Sequence, residues 1–405
     1  MKRSILFIDE DQERNGATVS LEYLVQGFKA AGYDTTVLTW KQEGWTRAAL
    51  TRSATLIDGR WGPLTTMTMC FHFTYTASPF SWRGMKNIVK DLVKFVAGFV
   101  IVLRTIRKVR PGILYLNEYS VVQASVAARV CHVPSVVHIR SQMLTGLLGV
   151  RRWIMRRLVL NCNDAVFAIT RCEAEQLRPR PAEQGKISVV GEFVPTGGDA
   201  GLHVAAVRSA LGLPHDRKVV TMLGGILAIK GTREFLKAGD TVCVRYPKAF
   251  LALAGGSRIG GDPARREYDA ACRMLIAGLE ERGALRYLGE IPNPLDLIAA
   301  SDIVVSTSLQ THFARPVVEA WGLGKPVVAF RSPHMEDLIT HGIDGLLVDN
   351  GSVDGLTEAV LQLLEHEPLC LRMGQEGKKK AEQDFDAGRN LGKIIARCDA
   401  LCATS

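Results

Sequence analysis

Short apolar runs alternate with longer stretches of helical pattern from one end of this chain to the other, and this rhythm limits its fold more than any other feature. The predicted strands are 5–8, 35–38, 113–116, 135–138, 165–169 and 187–190, then 219–223, 249–254, 285–288, 303–306, 327–330 and 346–348. Apolar strands separated by helix-sized intervals are typical of βα units, whose parallel strands are buried on both faces. The sequence therefore predicts an α/β protein built on parallel sheets.

A break in this rhythm falls at residues 193–200, FVPTGGDA, where one proline and two glycines separate the two series of strands. With 405 residues, 47% of them hydrophobic, the chain can bury two ordinary cores. We predict two doubly wound, Rossmann-like domains that face each other across a cleft, divided at residue 195. Ligands of such domains bind beyond the carboxyl ends of the strands.

Positive charge is concentrated in the first half of the chain. Residues 1–195 contain 26 Lys and Arg against 15 Asp and Glu, a balance of +11, whereas the remainder contains 24 against 26, a balance of −2. This asymmetry indicates that the first domain faces an anionic partner, such as phospholipid head groups, a lipid diphosphate or nucleic acid.

The cysteines and the first residues bear on the compartment. The nine cysteines include no CxxC pair and no His/Cys ligand spacing, so we expect reduced thiols. The apolar run of the opening MKRSILFIDED ends at Asp9, which is too short for a signal-peptide core. We interpret it as a first strand and expect a cytoplasmic protein.

The stretch 311–329, THFARPVVEAWGLGKPVVA, reads as a loop, a short helix over 316–323 and a buried strand, with Glu319 on the helix. A helix N-terminus in this setting could hold a phosphate. The stretch resembles the signature E-P-F-G-R/L-x-x-x-E-A-x-x-x-G-x-P-V-V-A of family 4 glycosyltransferases. The residues in register are Phe313, Arg315, Glu319, Ala320, Gly324, Pro326, Val327, Val328 and Ala329. Thr311 stands where the family has its first glutamate.

A second stretch, LGGILAIKG at 223–231, follows a predicted strand. Glycines there would let the backbone approach a ligand, and Lys230 could reach a diphosphate, although a Gly-Gly strand exit is as often structural. The stretch resembles the family pattern G-R-x-x-x-x-K-G, matched by Gly224, Lys230 and Gly231. Gly225 occupies the arginine position.

The resemblance implies a GT-B fold, with a nucleotide-sugar donor in the second domain and a last helix, 385–401, that returns to the first, so that 385–405 belongs with 1–195 and the donor domain is 196–384. Lys230 would neutralise the departing diphosphate, and Glu319 would hold the ribose. The implied donor-binding residues are Gly224, Gly225, Lys230, Thr311, Phe313, Arg315 and Glu319. The family's reaction retains anomeric configuration and needs no metal ion or other cofactor.

The two departures leave alternatives open. Arg315 could replace the missing arginine as a phosphate ligand, or be a solvated arginine at a helix start. Thr311 offers a hydroxyl in place of a carboxylate. Glu319 could instead be a surface residue that interacts with the helix dipole, and Trp321 is expected in the core. His312 is interpreted as a loop residue.

Acceptor-side candidates lie in the first domain. Asn15 and Gly16 belong to the loop NGAT at 15–18, before a predicted helix over 19–30; this loop resembles the family's Gly-Gly-Ala loop but also reads as a turn with an N-cap. Glu118 follows the strand 113–116. His138 is the last residue of the strand 135–138, and Arg140 follows shortly after it. His138 also fits a core residue. Arg140 occupies the place of an acceptor-side cation in related enzymes, and completes the predicted catalytic set with Lys230 and Glu319.

Asp9-Glu10-Asp11 imitates the DxD metal motif of the other large glycosyltransferase fold. It lies at the exit of the first strand, whereas that fold needs it after several strands. We therefore predict no metal site.

Residues 82–110 have the pattern of a basic amphipathic helix, with Lys86, Lys90 and Lys94 returning at successive turns beside apolar residues. Its apolar core of ~9 residues is about half a membrane span. An anionic membrane surface would suit both faces, and 151–157, RRWIMRR, adds a second basic cluster. An ordinary domain helix with a solvated lysine face is the alternative. Aromatic residues are not interleaved with the charges, which argues against nucleic acid.

These features together predict a cytoplasmic hexosyltransferase, peripheral on the inner face of the membrane, that transfers a sugar from a nucleotide sugar to a glycan or lipid-linked acceptor with retention. The competing hypothesis, motivated by Thr311 and Gly225, is a non-catalytic GT-B module: a partner subunit or a sugar-nucleotide-binding protein. A Rossmann oxidoreductase is disfavoured because no glycine fingerprint follows the first strand.

Overall fold

The computed structural model describes residues 3–9, 16–40, 45–59, 81–143, 149–194, 204–257, 263–310 and 313–403. The chain divides into two units, Met1–Phe193 with Ala387–Ser405 and Val194–Asp386. The boundaries predicted from the sequence, 195 and 385, each lie two residues from these.

The first unit is built on one parallel sheet. Its strands are β1 Ser4–Ile8, β2 Asp34–Thr39, β3 Thr55–Asp58, β4 Ile113–Leu116, β5 Ser135–Ile139, β6 Ala165–Ala168 and β7 Ile187–Val189, in the order β3-β2-β1-β4-β5-β6-β7. The helices between them are α1 Gly16–Ala30, α2 Trp45–Thr51, α3 Trp82–Val109, α4 Gln123–Val130, α5 Val150–Cys162 and α6 Arg171–Glu175. The order reverses between β1 and β4.

Alternation along the strands divides the core of this unit into two layers. On β1, Leu6 and Ile8 join a cluster with α3, α4 and α5, whereas Ile5 and Phe7 join a cluster with α1 and the last helix of the chain. Helices on both faces explain why the strands are continuously apolar.

The second unit contains another parallel sheet. Its strands are β8 Lys218–Leu223, β9 Ala249–Ala254, β10 Leu285–Gly289, β11 Ile303–Ser306, β12 Val327–Phe330 and β13 Leu346–Val348, in the order β10-β9-β8-β11-β12-β13. Its helices are α7 Val204–Leu211, α8 Thr232–Arg245, α9 Pro263–Glu281, α10 Pro294–Ala300, α11 Arg315–Gly322, α12 Pro333–Leu338, α13 Val353–Glu365 and α14 Glu367–Asp384. The order reverses between β8 and β11.

The last helix, α15 Ala387–Ala403, belongs to the first unit and packs on α1. Ile394 and Cys398 enter the core cluster of that face. Asp399 forms an ion pair with Arg3 at 2.7 Å and accepts a hydrogen bond from Tyr33 at 2.5 Å. These contacts fix the end of the chain on the first sheet.

Local sequence explains the limits of the longest helix, α3. Ser81 caps its start, accepting a hydrogen bond from the N–H of Gly84 at 3.1 Å. Arg110 ends it in the left-handed conformation, with φ of 51°, and Pro111 follows. No helix among the described residues is both long and apolar enough to cross a membrane.

The bounds of several predicted elements shift by one or two residues, and two differences are larger. Strand β3 was not predicted because it is a short edge strand with partly exposed residues, so it lacks the apolar run that marks the others. Helix α1 begins at Gly16, three residues before the predicted start at residue 19, so Gly16 is part of the first turn and not of a preceding loop.

Candidate functional site

The reversal of strand order between β8 and β11 marks the place where an open parallel sheet binds ligands. The segment with Gly224, Gly225 and Lys230 follows β8, and the segment that leads to Phe313 and α11 follows β11. Two predicted donor motifs thus lie after neighbouring strands at the switch point of the second unit.

The segment after β8 depends on its glycines. Gly224 and Gly225 have φ of 154° and 68°, and a Cβ atom at Gly225 would lie 2.0 Å from the carbonyl oxygen of Gly256. Gly231, with φ of 66°, approaches Thr307 so closely that a Cβ would lie 2.1 Å from its carbonyl oxygen. Only glycine fits these positions.

Hydrogen bonds join the segments that follow β8 and β11. Thr307 donates through Oγ1 to the carbonyl oxygen of Lys230 at 2.8 Å. Ile229 accepts through its carbonyl oxygen from the Ser308 hydroxyl at 3.2 Å and from the Leu309 N–H at 3.0 Å. The backbone that carries Lys230 is therefore held by the neighbouring loop.

Lys230 lies at the end of a 3-10 turn, Ala228–Lys230, just before α8. Desolvation by burial lowers the pKa of its ammonium group to about 8. The group is thus a partly desolvated cation at the switch point, which suits the binding of a phosphate anion.

Arg315 and Glu319 form an ion pair on α11. Arg315 Nε donates to Glu319 Oε1 at 2.6 Å, and each side chain is 12% exposed. The pairing follows from their spacing, since residues four apart lie on one face of a helix. Glu319 is therefore mostly buried and partnered, unlike the surface residue of the alternative interpretation.

Phe313 is buried, and its ring packs against Phe385 with centroids 6.4 Å apart. This position favours a packing role over the predicted direct contact with the donor. Trp321 is buried in the core as predicted, and its indole N–H donates to the carbonyl oxygen of Asp344 at 2.8 Å.

Several predicted positions lie outside the described residues: Asn15, Thr311 and His312, and Glu10 and Asp11 of the acidic triplet. Asp9 is buried at the end of β1. Within the described ranges, no cluster of three or more His, Cys, Asp or Glu is placed to hold a metal ion.

The first unit has its own switch point between β1 and β4. Gly16 opens α1 there, and its carbonyl oxygen accepts a hydrogen bond from Ser20 at 3.0 Å. Asn117, directly after β4, donates through Nδ2 to the carbonyl oxygen of Ala17 at 3.0 Å. The start of α1 is thereby tied to the end of β4.

Arg140, directly after β5, is the centre of a buried polar network. Its Nη1 donates to Glu192 Oε1 at 2.5 Å, and the two side chains are 4% and 5% exposed. Nε donates to both the carbonyl and side-chain oxygens of Asn117, at 3.1 and 3.2 Å. Glu192 also accepts from the Ser20 hydroxyl. Binding an acceptor directly would require Arg140 to loosen these bonds, so the geometry favours a positioning role.

His138 is fully buried between Tyr115 and Phe167. Burial and the Arg140 charge hold its pKa well below the usual range, so the ring is neutral. Nδ1 accepts from the Tyr115 hydroxyl at 2.8 Å and from Arg140 Nη2 at 3.0 Å, which puts the ring proton on Nε2. This geometry fits the core interpretation and not the predicted acceptor contact.

Glu118 is also buried, and its carboxyl group accepts hydrogen bonds from the backbone. Its oxygens accept from the N–H groups of Tyr119 at 2.8 Å and Arg140 at 3.2 Å. Burial raises the pKa of this carboxyl group. The predicted acceptor contact of Glu118 would need the side chain to leave these bonds.

Sequence reasoning missed four residues that organise these sites: Asn117, Glu192, Thr307 and Ser308. Three of them, all but Glu192, lie directly after a predicted strand or one residue further. Polar residues at the carboxyl end of an apolar run were the available signal. Glu192 gives no such signal, because only the fold brings it to Ser20 and Arg140.

The two basic segments of the first unit differ in their surroundings. Helix α3 exposes Lys86 and Lys90. On α5, Arg151 is buried, Arg152 donates to the carbonyl oxygen of Met143 at 2.9 Å, and Arg157 pairs with Glu183 at 3.5 Å. The cluster at 151–157 is thus largely engaged within its own unit.

Two family models match this chain. "Glycosyl transferases group 1" matches residues 204–380, and "Glycosyl transferase 4-like domain" matches residues 15–191. These ranges correspond to most of the second unit and most of the first.

Several curated proteins resemble part of the chain. The lipopolysaccharide core biosynthesis glycosyltransferase LpsE of Rhizobium meliloti is 27% identical over 217 residues, 53% of this chain and 59% of LpsE. The D-inositol 3-phosphate glycosyltransferase of Corynebacterium glutamicum is 30% identical over 241 residues, 57% of this chain and 56% of that protein. The chain thus spans less than two thirds of the length of either relative.

Solved structures resemble the chain over nearly its whole length. Anabaena HepE in complex with UDP and glucose has a TM-score of 0.72 at 18% identity, covering 98% of this chain and 99% of that one. WaaG, a glycosyltransferase involved in lipopolysaccharide biosynthesis, has a TM-score of 0.69 at 13% identity, with coverages of 98% and 99%. This likeness confirms the predicted GT-B fold.

Proposed function

Since the chain belongs to the GT-B glycosyltransferases of the group 1 and 4-like family, we propose that it transfers a hexosyl group from a nucleotide sugar to a glycan or lipid-linked acceptor with retention of anomeric configuration. The observation that carries the proposal is the position of Lys230 and of the Arg315–Glu319 pair after the two strands at the switch point of the second unit.

Lys230 would supply positive charge to the donor diphosphate. When the bond between the anomeric carbon and the phosphate oxygen breaks, negative charge grows on the leaving nucleoside diphosphate. A partly desolvated ammonium group stabilises that charge more strongly than a hydrated one. Positive charge from Lys230 and Arg315 makes a metal ion unnecessary in this proposal.

Glu319 would accept hydrogen bonds from the two ribose hydroxyl groups through its two carboxylate oxygens. Its pairing with Arg315 orients the carboxylate before the donor binds. The N–H groups of Gly224 and Gly225 donate to the carbonyl oxygen of Ala254, at 3.0 and 2.9 Å, so these glycines would shape the loop that carries Lys230 close to the donor. Thr311 would contact the sugar.

Retention would proceed on one face of the sugar. The acceptor hydroxyl oxygen bonds to the anomeric carbon on the side that the phosphate leaves, and its proton passes to the departing phosphate oxygen. This route needs no covalent nucleophile, in agreement with the absence of an assignable one among the donor residues proposed above.

The nucleotide and acceptor classes draw support from the relatives. HepE is described in complex with UDP-glucose, which favours UDP sugars as the first donors to test. LpsE is named for lipopolysaccharide core biosynthesis, which favours a lipid-linked glycan as the acceptor. An acceptor of this kind fits action at the inner face of a membrane, with residues 82–110 facing anionic lipid.

The competing function is nucleotide-sugar binding without transfer, as a partner subunit or a binding protein. It is favoured by one observation: Gly225 stands where the family pattern has an arginine, and its backbone leaves no space for a side chain.

Turnover separates the two functions. Purified protein is incubated with UDP, GDP, ADP and dTDP sugars and a bacterial lipid extract, and release of nucleoside diphosphate is measured. We expect release from one nucleotide class that depends on the extract, and a fall of about 10- to 100-fold for Glu319→Gln, the size expected for losing a hydrogen bond to a charged group. The exposed residue Glu365 provides the control, Glu365→Gln.

If the protein binds a nucleotide sugar but releases no nucleoside diphosphate, the competing function, binding without transfer, is favoured. If transfer occurs, proton NMR of the first-formed product gives its anomeric configuration, and inversion would contradict the proposed route.

A further inference from the structure

The first half of helix α3 carries an apolar face that is exposed. This face consists of six exposed side chains: Trp82, Met85, Val89, Leu92, Val93 and Val96. Their spacing of three and four residues puts them on one side of the helix, since each residue turns it by about 100°. We call this surface the apolar face of α3.

The opposite side of α3 already packs against the first unit. Gly84, Asp91, Gly98, Val102 and Thr105 are buried there, and Gly98 approaches Gln123 of α4. An ordinary domain helix would place polar residues opposite such a buried side. The apolar face of α3 is therefore not needed to hold the helix on its own unit.

Charge along α3 is almost entirely positive. Between Trp82 and Val109 the helix contains seven Lys and Arg and one acidic residue, Asp91, which is buried. Lys86 and Lys90 are exposed along one edge of the apolar face, and Arg104 and Arg107 are exposed beyond its C-terminal end. An exposed apolar surface bordered by cations complements a surface with anionic groups over an apolar interior.

We propose that the apolar face of α3 inserts into the outer part of an anionic lipid bilayer, with the helix lying in the plane of the interface. The inference rests on the proposed action at a membrane and makes it more specific. It says which face of which helix attaches the protein, and that this face enters the lipid in addition to being attracted by charge. Helix α3 lies on the surface and does not span, in keeping with the charges spread along its 28 residues.

The engagement of 151–157 within its own unit supports this assignment to α3. Arg151 is buried and Arg157 is paired with Glu183, whereas Lys86 and Lys90 are exposed. The lysines draw the helix to the anionic surface, and Val89 and Leu92 anchor it there.

Vesicle co-sedimentation of the full chain tests the insertion. The test variant combines Val89→Ser with Leu92→Ser, residues that are 60% and 61% exposed; its matched control combines Val244→Ser with Leu371→Ser in the second unit, at 67% and 61%. A second variant replaces Lys86, Lys90 and Lys94 by Gln, and its control does so at Lys237, Lys248 and Lys378. The vesicles contain phosphatidylcholine alone or with an equal part of phosphatidylglycerol.

We expect wild type to bind the phosphatidylglycerol vesicles more tightly than the neutral ones. The Val89→Ser, Leu92→Ser pair should lower binding at least about tenfold, because two apolar side chains no longer enter lipid. The lysine variant should lower binding to the anionic vesicles about 100-fold at low salt, since each charge contributes about fivefold near such a surface. Both controls should bind as wild type does.

The proposal is overturned if wild type does not bind, or if the apolar pair binds as its control does. It is also overturned if wild type is a dimer by analytical ultracentrifugation and the apolar pair is a monomer, since the face would then be an interface between copies. Thermal stabilisation by UDP, measured on the same variants, reports on the donor site separately and should be unchanged in all of them.

Discussion

At the scale of single residues, burial of Lys230 gives the candidate donor site a cation that titrates near neutral pH, with a pKa of about 8. A diphosphate binds the protonated form, so raising the pH above this value removes the charge that the site offers. We expect the dissociation constant of the cognate nucleoside diphosphate to rise by up to about tenfold for each pH unit above the Lys230 pKa. Titration calorimetry from neutral to alkaline pH measures this dependence.

Lys230→Ala should bind the nucleotide more weakly and lose this dependence on pH. Lys237→Ala, a change at an exposed lysine of α8, should keep both the affinity and the pH profile of wild type. A profile that is the same in wild type and Lys230→Ala would mean that another group is responsible for it.

A second prediction concerns the effect of a side chain at Gly225 on stability. Its φ of 68° and the carbonyl oxygen of Gly256, 2.0 Å from a Cβ, both oppose any side chain. Gly225→Ala should cost at least about 1–2 kcal/mol of stability from the left-handed conformation alone, and more from the contact. Gly278, inside α9 and without neighbours within 4 Å, is the control: Gly278→Ala should be neutral or stabilising by up to about 1 kcal/mol.

Chemical denaturation compares these two variants. Equal stability of Gly225→Ala and wild type would show that the backbone can take another conformation, and the family's arginine could then be restored at this position. The expected loss would mean that the missing arginine is a consequence of how this segment is built.

At the scale of elements, Glu192 links the end of the β7 segment to α1 and to the end of β5. Burial raises the pKa of nearby Glu118, which leaves Glu192 as the main counter-ion of buried Arg140. We expect Glu192→Gln to cost about 3–5 kcal/mol, because it leaves a buried guanidinium unpaired. Replacing the pair with Glu192→Leu and Arg140→Met should recover much of that loss.

Equilibrium unfolding of the single and double variants, with Glu365→Gln as the exposed control, measures this coupling. The network is not a structural unit if Glu192→Gln costs no more than the control. A double variant that is stable but lacks transfer activity, while still binding nucleotide, would assign the Arg140–Glu192 pair to the acceptor reaction.

The elements also explain what the sequence predicts well and what it does not. Buried strands such as β4, β9 and β12 have the predicted bounds because both faces of each are covered, which requires an unbroken apolar run. The edge strand β3 has no such requirement. The network of Arg140 was beyond prediction because Glu192 and Ser20 are 172 residues apart.

At the scale of the whole molecule, two sheets of similar design have different chemistry at their switch points. In the second unit, the glycine-rich segment with Lys230 follows β8, and the Arg315–Glu319 ion pair lies on α11, which follows β11. In the first unit, the corresponding positions are tied together by Asn117 and by the Arg140–Glu192 pair. The positive balance of the first half and its exposed apolar helix face suit an acceptor held at an anionic surface.

The donor site can be tested directly by a thermal-shift panel of UDP, GDP, ADP and dTDP sugars with wild type, Lys230→Ala and Lys237→Ala. We expect one nucleotide class to raise the melting temperature of wild type and Lys237→Ala but not of Lys230→Ala, by mass action on the folded state. Stabilisation of Lys230→Ala equal to that of wild type, or of none of the three proteins by any nucleotide, would contradict a donor site at this position.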